Sequence, residues 1–237
     1  MTFDMAKRMK AFARVQRLYA GSSDEHINPQ TERSRLTALS LDSLSKGRPE
    51  YMDLAQRYDP HAVVNAIHEC GHAASYLWRN PTGHGCQVSI YLNEHGCYTG
   101  QNRHAQSFKA NTTLDLWWFC FNKMSGVGAE FFVFGHEFDD YSGFIDTFQL
   151  IGYIEERAED GLAFSTIDGN PVSDLWVRMA AIQMSYRSLV HNPSLHYDLV
   201  VELLKNEDLN LESYVANKHG GTTIFEMMQP TDIVIST

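Results

Sequence analysis

No run of about 18 consecutive apolar residues occurs in the chain, so no segment reads as a bilayer-spanning helix. Cysteine is scarce. Cys70, Cys86, Cys97 and Cys120 form no CxxC pair and fall short of the density of a disulfide-stapled secreted scaffold. Reduced thiols in a cytoplasmic protein are the expectation. Positive charge is also short: 19 Lys and Arg stand against 29 Asp and Glu, a net charge of −10, which repels phosphate backbones and argues against nucleic acid as a partner. A GxxxxGK(S/T) phosphate loop is absent, so the chain has no P-loop with which to hydrolyse ATP. Internal repeats and low-complexity tracts are missing too.

What is there is the composition of a folded protein. With 237 residues, 43% of them hydrophobic, the chain is long enough for one elaborated domain with extensions. Its positive charge is uneven: residues 1–20 carry Lys7, Arg8, Lys10, Arg14 and Arg17 against Asp4 alone, so the segment is +4 and the remainder −14. Met5, Met9, Phe12, Val15 and Tyr19 follow helical spacing there, which suggests an amphipathic helix docked on the domain or a partner, with targeting or membrane-surface binding as the less favoured reading. Residues 21–50 are rich in Ser, Asp, Asn, Pro and Arg and read as a loose arm. The expected division is an N-terminal basic helix and arm over 1–58, a domain over 59–220 and a tail over 221–237, the tail being a strand or mobile.

Asp59-Pro60 is a helix start, a capping side chain followed by a proline whose missing N–H is harmless at the first position. The helix should span 60–78 and stop at Asn80-Pro81-Thr82-Gly83. Residues 86–91 and 97–101 read as two strands around Asn93-Glu94-His95-Gly96. Helices follow over 113–134, 142–161 with Ser142 as cap, 171–190 and 194–205. Gly126, Gly128 and Ala129 give the first of these a small-residue face that admits a close neighbour. The fold class is therefore mainly α (α+β), with a small β-hairpin or sheet after the first long helix.

That helix contains His68-Glu69-Cys70-Gly71-His72, an HExxH motif. Positions i and i+4 lie on one helix face, so both imidazoles can point at one ion. Zn2+ held by neutral imidazoles and one further ligand keeps a position open for water and lowers its pKa to about 7. Glu69, one step round the helix, is placed to act as general base. Gly71 leaves room for another element to pack closely. The metzincin extension would need Gly at 75 and His at 78, where Ser75 and Trp78 stand, so the third ligand comes from further away. A surface helix that happens to carry these residues, and a non-catalytic metal site, are the plainer readings.

Four stretches resemble the protease domain of FtsH-type zinc peptidases. His68-Glu69-Cys70-Gly71-His72-Ala73 resembles HEAGHA, and Val88-Ser89-Ile90 with Gly96-Cys97-Tyr98-Thr99 resembles a VTI…LGYT strand pair. Residues 125–135 are similar to GGRAAEELIFG, and Ser142-Gly143-Phe144-Ile145-Asp146 falls where the family has GAxxD, one residue shorter. Residues 203–209 are similar to a late LLExExL segment. The resemblance covers residues 59–215, with Cys70, Val127 and Phe131 departing from Ala, Arg and Glu.

The resemblance implies that Asp146 is the third zinc ligand, with Glu130, Asp139 and Asp140 as competing acids. Glu130 has a second reading, a hydrogen bond to a zinc-bound histidine. It further implies a zinc-dependent, ATP-independent endopeptidase acting on peptide or unfolded-protein segments, without its motor domain, with a separate unfoldase as a candidate partner. Ring-forming relatives imply a homo-oligomer, for which the aromatic run 116–121 is a core or interface candidate. Either strand could pair with an extended substrate. His84, His95 and His104 receive no role. The alternative function is a metal-binding assembly or interaction protein that keeps the fold without turnover.

Overall fold

The computed structural model describes residues 29–105, 108–138, 141–166 and 168–221. The expected basic helix within residues 1–20 and the tail 222–237 lie outside them, as do Asp139 and Asp140. Eight helices and three strands follow in chain order among the described residues: α1 (Pro29–Lys46), α2 (Pro49–Ala55), α3 (Pro60–Arg79), β1 (Cys86–Leu92), β2 (Tyr98–His104), α4 (Thr113–Phe134), α5 (Tyr141–Glu159), α6 (Asp174–His191), α7 (Pro193–Asn206), β3 (Asp208–Asn210) and α8 (Leu211–His219). The fold is mainly helical with one small antiparallel sheet in the order β2-β1-β3, so β2 is an edge strand.

The two long helices that carry the motifs start and stop where local chemistry says they should. The Asp59 side chain accepts the His61 N–H at 2.8 Å, with Pro60 at the first position of α3. A reciprocal Thr112–Asp115 capping box opens α4, and Gly135, at a left-handed φ of 81°, ends it. From His61 to Ser75 every residue of α3 is buried. Its polar members are accordingly partnered; Asn65 donates to the His61 carbonyl and Ser75 to the His72 carbonyl, both at 2.9 Å.

The stretch expected as a loose arm is instead helical from Pro29 onward. The inward face of α1 includes Leu36, Ser40, Ser43 and Leu44. Two of those four positions are serines, and the Ser40 hydroxyl donates to the Leu36 carbonyl at 2.7 Å, so the face is buried without reading as apolar. β3 and α8 were not anticipated either; β3 pairs only Asp208–Asn210 with β1. α5 begins one residue before its expected cap, Ser142.

Two hydrophobic clusters form the interior. The first joins α1, α2, α3, the sheet, α7 and α8 with the C-terminal turns of α4, including Ala129, Phe132 and Val133. The second packs the N-terminal half of α4, through Leu116, Trp117, Phe121 and Met124, against α5 and α6. Hence α4 spans both. All four cysteines are free and buried, and no helix among the described residues is long and apolar enough to cross a membrane.

One buried polar relay ties three helices together. The Ile67 carbonyl can only accept, so His196 Nε2–H on α7 donates to it at 3.0 Å. His196 Nδ1 then accepts the Tyr51 hydroxyl of α2 at 2.7 Å. Burial holds His196 neutral, with its pKa down to about 4. Because the folded pKa lies below the unfolded value near 6.5, this histidine's contribution is fully present above that pH and is lost as pH falls towards about 4. We expect His196→Gln to destabilise the protein, and the gap to parent in urea melts to shrink by about 2 kcal/mol between about pH 7 and about pH 5. A gap independent of pH would show that His196 is not held neutral.

Candidate metal centre

The site is assembled on the contact between α3 and α4. A Cβ at Gly71 would overlap the Ser125 carbonyl oxygen, and one at Gly126 would overlap the His68 ring. Glycine at these positions lets α4 lie against the face of α3 that carries the motif histidines. Asn122, Gly126 and Glu130, at i, i+4 and i+8, all turn towards that face.

Each histidine is oriented by α4 through Nδ1. His72 Nδ1 lies 2.7 Å from the Asn122 carbonyl oxygen. A carbonyl only accepts, so Nδ1 carries the proton and Nε2 presents its lone pair. His68 Nδ1 lies 2.6 Å from Glu130 Oε1, while Glu130 Oε2 accepts the Phe138 N–H at 2.7 Å. Glu130 is thus bound to the far side of the ring from the ligand cluster. Of the two readings open for Glu130, the geometry is that of a hydrogen bond behind a histidine and not that of a direct ligand.

Asp146, in the second turn of α5, brings its Oδ2 to 3.0 Å from His68 Nε2 and 2.9 Å from His72 Nε2, which are 3.1 Å from each other. Together His68, His72 and Asp146 form a buried group able to hold a metal ion. With both Nδ1 positions protonated, the three facing atoms need positive charge between them, which a metal ion or a proton on one Nε2 supplies. An ion with about 2.05 Å bonds in tetrahedral geometry sets its ligands about 3.3 Å apart, close to this triangle. The two-nitrogen, one-oxygen donor set suits zinc among other divalent metals.

The charges of the cluster also act on one another. Burial opposes charge on His68, yet hydrogen bonds to Asp146 and Glu130 outweigh it and hold its pKa well above the usual imidazole range. Burial likewise opposes charge on Asp146, but His72 and His68 hold that carboxyl well below its ordinary value. A further cation is Lys123, whose Nζ is 3.9 Å from Asp146 Oδ1.

Glu69 is buried against β2. A Cβ at Gly100 would overlap its carboxylate, and the Asn102 side-chain amide donates both to that carboxylate and, at 3.2 Å, to the Glu69 carbonyl. Burial raises the Glu69 pKa, with the two histidines and Asn102 opposing the shift. Asn102 Oδ1 is buried without a partner.

Sequence reasoning missed Asn102, Asn122 and Lys123. The i, i+4, i+8 spacing of 122, 126 and 130 was the available signal for Asn122; nothing local marks Asn102 or Lys123. His84 pairs with Glu212 at 2.9 Å and His104 stacks on Tyr76 with centroids 4.8 Å apart, so neither joins the ligand cluster.

Two substitutions test how α4 supports the site. Gly126→Ala would ordinarily favour a helix, but here it displaces the His68 ring, and we expect metal affinity to fall about tenfold or more in chelator competition. Glu130→Gln should weaken binding by about 10–100-fold by loosening the ring's orientation. Unchanged affinity in both variants would remove α4 from the site. The chain matches no known family model, no curated protein and no solved structure, so its functional reading rests on this geometry.

Proposed function

We propose that the protein is a zinc-dependent, ATP-independent endopeptidase of the FtsH-type design, hydrolysing peptide bonds in unfolded or flexible segments. The observation that carries this reading is the convergence of His68 Nε2, His72 Nε2 and Asp146 Oδ2, at 2.9–3.1 Å, in a helix where Glu69 follows the first histidine. Among the described residues this group has three members. Three protein ligands leave a tetrahedral position for a reactant, whereas structural zinc sites are closed by four.

Bound in this cage, the ion would supply a Lewis acid that polarises the scissile carbonyl and acidifies a water. Glu69 accepts the proton of the attacking water and returns it to the departing amine, so that the C–N bond breaks as a neutral amine leaves. Asn102 fixes the Glu69 carboxylate, and the edge strand β2 offers backbone donors and acceptors to an extended chain. Because the bound segment must be extended, folded substrates need unfolding elsewhere. Localisation in a cytoplasm and assembly into a homo-oligomer belong to the same proposal.

Purified protein should contain about one zinc per chain and digest casein, with activity lost to chelator and restored by zinc. Glu69→Gln should keep the zinc and lower turnover by about 100-fold or more. Casein cleavage by that variant at the parent rate would refute the assignment of Glu69. A four-ligand zinc shell by X-ray absorption would favour the non-catalytic alternative.

A further inference from the structure

The aromatic run 116–121 does not stay in the core. Leu116, Trp117, Cys120 and Phe121 are buried, whereas Trp118 and Phe119 face a cavity of about 560 Å3 between the C-terminal half of α3 and the N-terminal half of α4. That volume lies within the range of ligand sites. The cavity shares a wall with the metal centre: Asn122, whose carbonyl orients His72, lines it, and so does Lys123, whose Nζ reaches towards Asp146.

Its charge runs against that of the whole chain. Arg79, Lys109 and Lys123 line the cavity, and neither Asp nor Glu does, in a protein of net charge −10. Arg79 pairs with Asp115 at 2.8 Å, a carboxylate also engaged in capping α4, and its guanidinium lies 4.9 Å from the Phe108 ring centroid. Among the described residues Lys123 pairs with Asp146 at 3.9 Å, the residue that faces the two histidines. Lys109 is exposed and has no ion pair among the described residues. Phe108 stacks on Phe119 with centroids 6.0 Å apart, giving the cations an apolar wall. A carboxylate is the charge that such a site recruits, and an apolar neighbour is what its aromatic wall would cover.

We propose that this cavity is a substrate subsite that holds a carboxylate-bearing residue of the peptide, next to an apolar one, beside the bond presented to the metal centre. The inference rests on the peptidase reading for the identity of the ligand as a peptide. Two sources supply the chemistry, an acidic side chain or the chain's own C-terminus.

The test is binding to the full-length, zinc-loaded Glu69→Gln protein, followed by fluorescence anisotropy. The probes are labelled Ala/Leu-host peptides in which one Glu, or one Gln as control, is walked along the sequence, and an acid-free pair ending in a carboxylate or an amide. At least one Glu position should bind about tenfold tighter than its Gln counterpart, with the difference shrinking as salt is raised. Lys109→Glu should abolish that preference while leaving zinc content unchanged. If only the free-terminus peptide shows the preference, the carboxylate is the chain end; if only the Glu series does, it is a side chain. Equal affinities across both pairs overturn the proposal, as does a Lys109→Glu variant that retains the preference.

Cleavage of the same peptides by the parent protein separates the two readings. Cleavage without any carboxylate preference in binding removes the subsite and leaves the peptidase standing. A preference with no cleavage of any peptide at full zinc occupancy leaves a carboxylate site and removes the peptidase.

Discussion

Helices α3 and α4 approach this closely only because positions 71 and 126 carry no side chain. That contact is the constraint from which the rest of the site follows. It places the Asn122 carbonyl on one imidazole and the Glu130 carboxylate on the other, and thereby turns both Nε2 lone pairs towards the same point. Glycine inside a helix costs about 0.5–1 kcal/mol relative to alanine; the buried packing of α3 and α4 against both hydrophobic clusters offsets it.

Charge sets a second requirement. Glu69, Glu130 and Asp146 are all buried within one neighbourhood, and buried carboxylates persist only when paired or coordinated. Glu130 has an imidazole and a backbone N–H, and Glu69 has Asn102. Asp146 has the two ring nitrogens and a distant lysine. A divalent cation at that point would offset the carboxylate charge. The three candidate ligands come from different parts of the interior: His68 and His72 ride on a helix packed in the first cluster, whereas Asp146 sits on α5, whose Leu150, Ile151 and Ile154 belong to the second.

Local chemistry made much of this readable. Asp59-Pro60 and Gly135 mark helix ends by mechanisms that need no tertiary context, and α4 spans the expected residues. The HExxH spacing placed two histidines on one face by helix geometry alone. Asp146 was reachable only through resemblance, because the sequence between residues 72 and 146 does not say which acid folds back. α1 was hidden because Ser40 and Ser43 occupy part of its buried face, so burial there left no hydropathy signal. The cavity was hidden for a different reason. Its walls come from α3, the turn before β1, the end of β2 and α4, and a basic concavity in an acidic chain shows in no local window of composition.

The stripe of Asn122, Gly126 and Glu130 has a consequence for how this chain tolerates length changes. Successive residues of an α-helix are turned by about 100°, so one residue inserted or deleted between 126 and 130 would swing Glu130 away from His68 while leaving every side chain of the site in the sequence. The stretch 122–130 therefore behaves as a phase-locked ruler. Substitutions outside the stripe are matters of packing, but the count of residues within it is fixed by the angular relation between two imidazoles on the neighbouring helix.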